Sequence, residues 1–155
     1  MAQRKHAQAG FTLVELVIVI LILGILSAVA LPKFVNLGKD ARKAKAEAIY
    51  GSVRAATQIV RAAALINNQT GPTGSVALDG ANVPTVYGFP EASANGIVTA
   101  AGLDPTNDKV TIATPSAGVL TITVDGATTA ASCRITYNAA TATTAASATL
   151  NASDC

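Results

Sequence analysis

Residues 10–34 read GFTLVELVIVILILGILSAVALPKF, and one carboxylate, Glu15, stands just ahead of eight unbroken apolar residues, Leu16 to Leu23. An acidic side chain in such a stretch costs about 2.5–3.5 kcal/mol at mid-span in a bilayer, and less near an end. A charge kept at that cost is a functional candidate whose chemistry is ion pairing, and it needs a partner. The other reactive groups are few. Cys133 and Cys155 are the two cysteines, and as a pair they could form a disulfide, hold a metal or carry thiol chemistry. Asp104-Pro105-Thr106-Asn107-Asp108 offers oxygen ligands for a cation, although the ordinary job of such residues is a turn. His6 is the single histidine.

Elements that would position these groups follow from the patterning. Phe11 to Leu31 is almost wholly apolar, and as a helix it would measure roughly 31 Å, close to the hydrocarbon thickness of a membrane. Arg4 and Lys5 precede it, a basic flank that keeps the N-terminus in the cytoplasm. A secretory signal peptide shares these features, with a small-x-small site at Ala28-Val29-Ala30, and the chain would then be a secreted binding protein released after Ala30. Glu15 argues against that reading, because an ordinary apolar signal core gains nothing from a charge.

From Lys33 to about Ile66 the chain reads as an amphipathic helix. Ile49, Val53, Ala56, Val60 and Ala63 form one apolar stripe, and Lys43, Glu47, Arg54, Gln58 and Arg61 form the polar face. Alanine, the strongest helix former, is abundant in this stretch. Gly24 weakens the first half of the helix, and Pro32, which lacks the N–H for the carbonyl four residues back, predicts a kink or break. A helix continuous from Phe11 to Ile66 would span roughly 84 Å, so half of it would protrude from a head of this size. At 155 residues there is room for one modest domain beside such a helix.

After Asn67-Asn68-Gln69-Thr70-Gly71-Pro72 the texture changes to turns and short β-rich runs. Asn82 to Gly88 looks extended but irregular, and Ala94 to Leu103 looks like a short helix or turn. Lys109–Ala113, Val119–Val124 and Cys133–Tyr137 alternate like strands, with turns at Pro115–Gly118 and Asp125-Gly126. The expected architecture is α+β, with a small three- or four-stranded antiparallel meander packed on the apolar stripe. The segment 133–155 is rich in alanine and threonine and is expected to form no core unaided. A bridge closing it would contribute about 3.4 kcal/mol by loop-closure entropy.

Net charge is +2, but it is unevenly placed. Residues 33–61 carry Lys33, Lys39, Arg42, Lys43, Lys45, Arg54 and Arg61 against Asp40 and Glu47, whereas residues 62–155 carry Lys109 and Arg134 against six acids. A basic stem and an acidic head suggest complementary packing between subunits. A nucleic-acid site is the competing reading, disfavoured because the charges alternate with alanines and lack interleaved aromatics.

Gly10-Phe11-Thr12-Leu13-Val14-Glu15, followed by an apolar helix and Pro32, resembles the class III signal of type IV pilins and related pseudopilins. The resemblance implies a leader, residues 1–10, cut off between Gly10 and Phe11 by a prepilin peptidase, which also N-methylates Phe11. It implies an apolar segment 11–32 that anchors the subunit in the inner membrane and then enters a filament core, an amphipathic helix 33–66, and a β-rich head 67–155. In this family the freed amine of Phe11 pairs with the Glu15 carboxylate of a neighbouring subunit, and the helix between residues like Gly24 and Pro32 can lose its helicity on assembly.

The resemblance further implies a pilin fold with a C-terminal disulfide loop, here Cys133 to Cys155. Loss of the leader would remove His6 and leave no histidine for a Ser-His couple or a histidine metal site, so no enzyme, cofactor or metal site is expected. Expected partners are further copies in a helical filament, the peptidase and methyltransferase, the inner-membrane assembly platform and the membrane itself. The final location would be an extracellular pilus used in adhesion or motility. PKFVNLGKDARKAK and Val86-Tyr87-Gly88-Phe89-Pro90 look like the mannose-sensitive haemagglutinin type. A type II secretion pseudopilin shares the N-terminus, but such proteins more often use calcium where this chain has its cysteines.

Overall fold

The computed structural model describes residues 11–155, and the side chains of all of these except residues 34–36. It divides into two compact units, Met1–Gly38 and Lys39–Cys155. The described part of the first unit is helical from Leu13, where α1 (Leu13–Ile66) begins. Its large apolar side chains from Leu13 to Leu31 are each 45–77% exposed. Gly24 and Pro32 both lie inside α1, so no break occurs at Pro32. Proline removes a single i→i−4 bond, and the neighbouring turns carry the helix across that gap.

In the second unit α1 buries Ala46, Ile49, Val53, Ala56, Val60 and Ala64, spacings of three and four that keep them on one face. Four of the five expected stripe residues are buried. The stripe ends on Ala64, with Ala63 only half-buried, and begins a turn earlier at Ala46. Thr57 is also buried, and its hydroxyl donates to the Val53 carbonyl at 2.7 Å. Of the expected polar face, Lys43, Glu47, Arg54 and Gln58 are exposed while Arg61 is half-buried.

Two antiparallel sheets complete this unit. The first contains β1 (Gly74–Leu78), β2 (Ala81–Val86) and β3 (Phe89–Pro90) in that order. The second contains β4 (Val110–Ser116), β5 (Val119–Val124), β6 (Arg134–Asn138) and β7 (Ser147–Asn151), also in sequence order. The expected meander corresponds to the second sheet; the first sheet is additional. Asn82–Gly88, read as irregular, contains most of β2 and a hairpin turn. Pro84 is tolerated there because its carbonyl, which accepts from the Glu91 N–H at 3.0 Å, faces the end of the two-residue β3. On that side a missing N–H costs no ladder bond.

Both connections in the first sheet are two-residue hairpins with positive φ at each residue: Asp79 (47°) and Gly80 (80°), then Tyr87 (49°) and Gly88 (78°). This is the twist that matches paired strands, and glycine supplies it without strain. Ala94–Val98 is a single wide turn in which Gly96 departs from helical geometry and donates to Ser93 Oγ at 3.0 Å. The expectation for Ala94–Leu103 left helix and turn open, and the structure has both: a short kinked helical run through Ala100, then a turn at Ala101-Gly102.

The first core cluster joins Ala46, Ile49, Val53 and Ala56 to Leu120, Ile122, Ile135 and Tyr137 of the second sheet. The second joins Val60 and Ala64 to Val76 and Val83 of the first sheet. Tyr137 is fully buried and its hydroxyl donates to the Pro90 carbonyl at 2.7 Å. Burial pushes its phenol well above the usual tyrosine range.

Cys133 and Cys155 form a disulfide with a Cα–Cα distance of 4.7 Å, and both are buried. The segment they enclose is not without structure: β7 pairs with β6 from Arg134↔Asn151 to Asn138↔Ser147. Replacing Cys155 with serine should therefore fray the residues after Asn151 while leaving β7 paired. We expect a stability loss of about 2–4 kcal/mol in urea and faster proteolysis confined to that end. An unchanged melting curve and digestion pattern would show that the bridge contributes nothing.

Candidate functional site

Glu15 lies in the first turn of α1, and its carboxylate has partners within its own chain. The Thr12 N–H donates to Glu15 Oε2 at 2.9 Å, and the Thr12 hydroxyl donates to the same oxygen at 2.8 Å. In return the Glu15 N–H donates to Thr12 Oγ1 at 3.3 Å. This reciprocal arrangement is a capping box, which satisfies helix donors that have no carbonyl partner. Thr12 is thus a functional candidate that sequence reasoning missed. The signal was present, since a threonine three residues before a glutamate at the start of an apolar run is the capping-box pattern.

Phe11 is exposed beside this turn, and Gly10 lies outside the described residues. Gly24 has open space where a Cβ would sit, and Pro32 lies within the helix. The sites named for assembly are thus strung along one helix rather than gathered into a pocket.

A second constellation tethers the end of the disulfide segment to the helix. Lys39 Nζ donates to Asp154 Oδ1 at 2.9 Å, and Arg42 Nε donates to the Cys155 carbonyl. The Lys39–Asp154 pair is about half exposed on both sides, so it contributes on the order of 0–1 kcal/mol. Basic helix and acidic head do meet here, but inside one chain.

The Asp104–Asp108 segment is a turn. Asp104 Oδ1 accepts from the N–H groups of Thr106 (2.9 Å) and Asn107 (3.2 Å), and Asp108 Oδ2 accepts from the Asp104 N–H at 2.9 Å. The Asn107 and Thr106 backbone donors hold the Asp104 carboxyl below the usual range. Among the described residues no three His, Cys, Asp or Glu side chains are grouped to hold a metal.

Residues 5–31 match the family model for the prokaryotic N-terminal methylation motif. The type IV narrow pilus major component PilA5 of Thermus thermophilus is 52% identical to this chain over 50 residues. That match covers 32% of this chain and 43% of the relative. The similarity to that pilin and the methylation motif both concern less than half of the chain. No solved structure matches the chain. A long N-terminal helix, antiparallel sheets and a C-terminal disulfide together make an α+β, pilin-like fold. Among the described residues α1 is long and apolar enough to cross a membrane.

Because the folded state depresses the Asp104 pKa, the carboxylate's contribution to stability is present above its unfolded value, near 3.9. It is lost as pH falls through the folded value. Asp104→Asn should be less stable than the natural chain at pH 7, and the gap should start to narrow below about pH 4 and close only as pH falls through the lower folded value. Urea midpoints of the full chain in detergent micelles, taken across that range, measure this. A gap that stayed constant with pH would show that the charge has no part in the turn.

Proposed function

We propose that this chain is the structural subunit of a bacterial type IV pilus rather than an enzyme. It waits in the inner membrane and then polymerises through its N-terminal apolar helix into a surface filament used in adhesion or motility. One observation carries the reading: the methylation motif at residues 5–31 contains an apolar helical run whose large side chains stay exposed among the described residues. A bilayer is one cover for such a surface, and the packed helices of other copies are another.

In this reading the peptidase cuts between Gly10 and Phe11, and the new Phe11 amine is methylated. The cut places a cation at the head of a helix that carries Glu15 one turn in. During docking the amine of one subunit reaches the Glu15 carboxylate of the next. At 4 Å and an effective dielectric of about 20, the attraction is about 4 kcal/mol before desolvation is subtracted. Only one axial register brings the two charges together, so the pair selects the register. Gly24 and Pro32 then bracket the part of the helix most able to yield as subunits pack. The bridged segment 133–155 supports a pilin over a secretion pseudopilin, and imaging separates them, since only the pilin is expected to build long extracellular filaments.

Two substitutions test separate steps. Gly10→Val should block the peptidase's approach to the backbone and leave a precursor in the inner membrane, read as the larger band on a gel and by N-terminal sequencing. Normal processing would remove the class III signal from the proposal. Glu15→Gln should be cleaved and inserted normally, because the amide keeps the size and can still serve in a capping box. Filament yield should fall sharply while mature subunit accumulates in the membrane, reflecting a loss of about 1–3 kcal/mol in docking. Wild-type filament numbers with the glutamine in place would rule out charge pairing as the register device.

A further inference from the structure

Arg61 is a half-buried cation that forms no ion pair among the described residues. Three features hold its guanidinium in place. Its central carbon lies 4.7 Å from the centre of the Phe89 ring, and Nη1 donates to the Tyr87 carbonyl at 2.8 Å. Gly88 leaves the room it needs, since a Cβ there would collide with Nη1. The hairpin Tyr87-Gly88 thus holds Nη1, and the Arg61 side chain lines an open groove of about 360 Å³.

The walls of that groove are Thr70, Tyr87, Phe89 and the loop Thr141–Ala145, and none of them is acidic. Among the described residues the ion pair formed is Lys39–Asp154, outside this groove. The loop is braced by its own bonds: the Thr141 N–H donates to the Thr144 carbonyl at 2.9 Å, and their hydroxyls lie 2.7 Å apart. No hydrogen bond within the described chain engages the hydroxyls of Thr70, Thr143 or Tyr87. The site therefore offers one preorganised cation, three open hydroxyls and aromatic surface, in a volume at the lower end of small-ligand pockets.

We propose that this groove binds a small hydroxylated carboxylate, a sugar acid. The carboxylate would take the open donors of Arg61 as a charge-assisted pair. Ring hydroxyls would meet Thr70 and Thr143, and a sugar's C–H face would lie on Tyr87. The proposal is independent of how the N-terminal segment acts, since every residue in it belongs to the second unit.

The test is a titration of the full chain in detergent micelles, following the amide signals of Gly88 and Thr143 by NMR. D-glucuronate, D-glucose and acetate are the probes. Saturable shifts with glucuronate, and at least about tenfold weaker binding of glucose and of acetate, are expected. Arg61→Gln should weaken glucuronate about tenfold or more. Thr143→Ala, on an exposed loop outside both sheets, should weaken it about threefold with the rest of the spectrum unchanged. No saturable shift with glucuronate would overturn the site. Equal binding of acetate, or identical affinity in both variants, would overturn the sugar-acid assignment.

Discussion

One face of α1 is the surface on which both sheets close. Ala46 to Ala56 meet the four-stranded sheet, and Val60 and Ala64 meet the three-stranded one. Three of the seven buried positions on that face are alanine, which lets strands approach the helix closely, while Ile49, Val53 and Val60 supply most of the apolar area. Each of those larger side chains stabilises the unit by about 1.5–3 kcal/mol when removed from water. The opposite side of the helix makes no such demand and carries the charges. Tyr137 links the sheets: it stands in the core from β6 and ties its hydroxyl to Pro90 in β3, so its polar tip is satisfied where burial would otherwise penalise it.

Strand edges set the second constraint. The second sheet ends at β4 on one side and β7 on the other, and unpaired edges invite association with other chains. On β4 the register shifts between Ala113 and Ser116, with Pro115 in the gap, so its end cannot offer a regular ladder. β7 has no charge and no proline. It is held from its far end by Cys155, bonded to Cys133 beside the start of β6, and by Lys39 and Arg42 reaching from the helix. The disulfide fixes the end of a segment whose small side chains bury little, and the ladder with β6 supplies its backbone partners.

Periodicity made the helix legible, because spacings of three and four sustained over many turns fit a helix and not a strand. Alternation did the same for β4, β5 and β6. The first sheet was hidden for a physical reason: β1 (GSVAL) has small residues at three of its five positions, β2 contains Pro84, and β3 has two residues. Asp79-Gly80 was the available signal, an Asp-Gly pair between short extended runs, and it marks the hairpin that the alternation did not. β7 was hidden because SATLN has Thr149 as its one β-branched residue and no aromatic; it forms because β6 is already there to pair with. Long-range contacts such as Lys39–Asp154 and Arg61–Phe89 have no local signature at all. The Thr12–Glu15 box did have one, and the apolar run that surrounds it drew attention to the cost of the charge and away from its nearest partner.

That box changes what the carboxylate at the head of the helix means. A lone Glu15 in an apolar segment would be a standing penalty, relieved only when another molecule arrives. With Thr12 donating twice to one of its oxygens, the carboxylate is already solvated by its own chain, and Oε1 remains for a second donor. A cationic amine approaching from a neighbour therefore need not displace the cap; it can add to it, since an ionised carboxylate accepts at both oxygens. In the proposed filament the capping box would hold Glu15 at the helix start before any neighbour is present. The docking step would then begin from an ordered acceptor rather than from a side chain that must first be arranged.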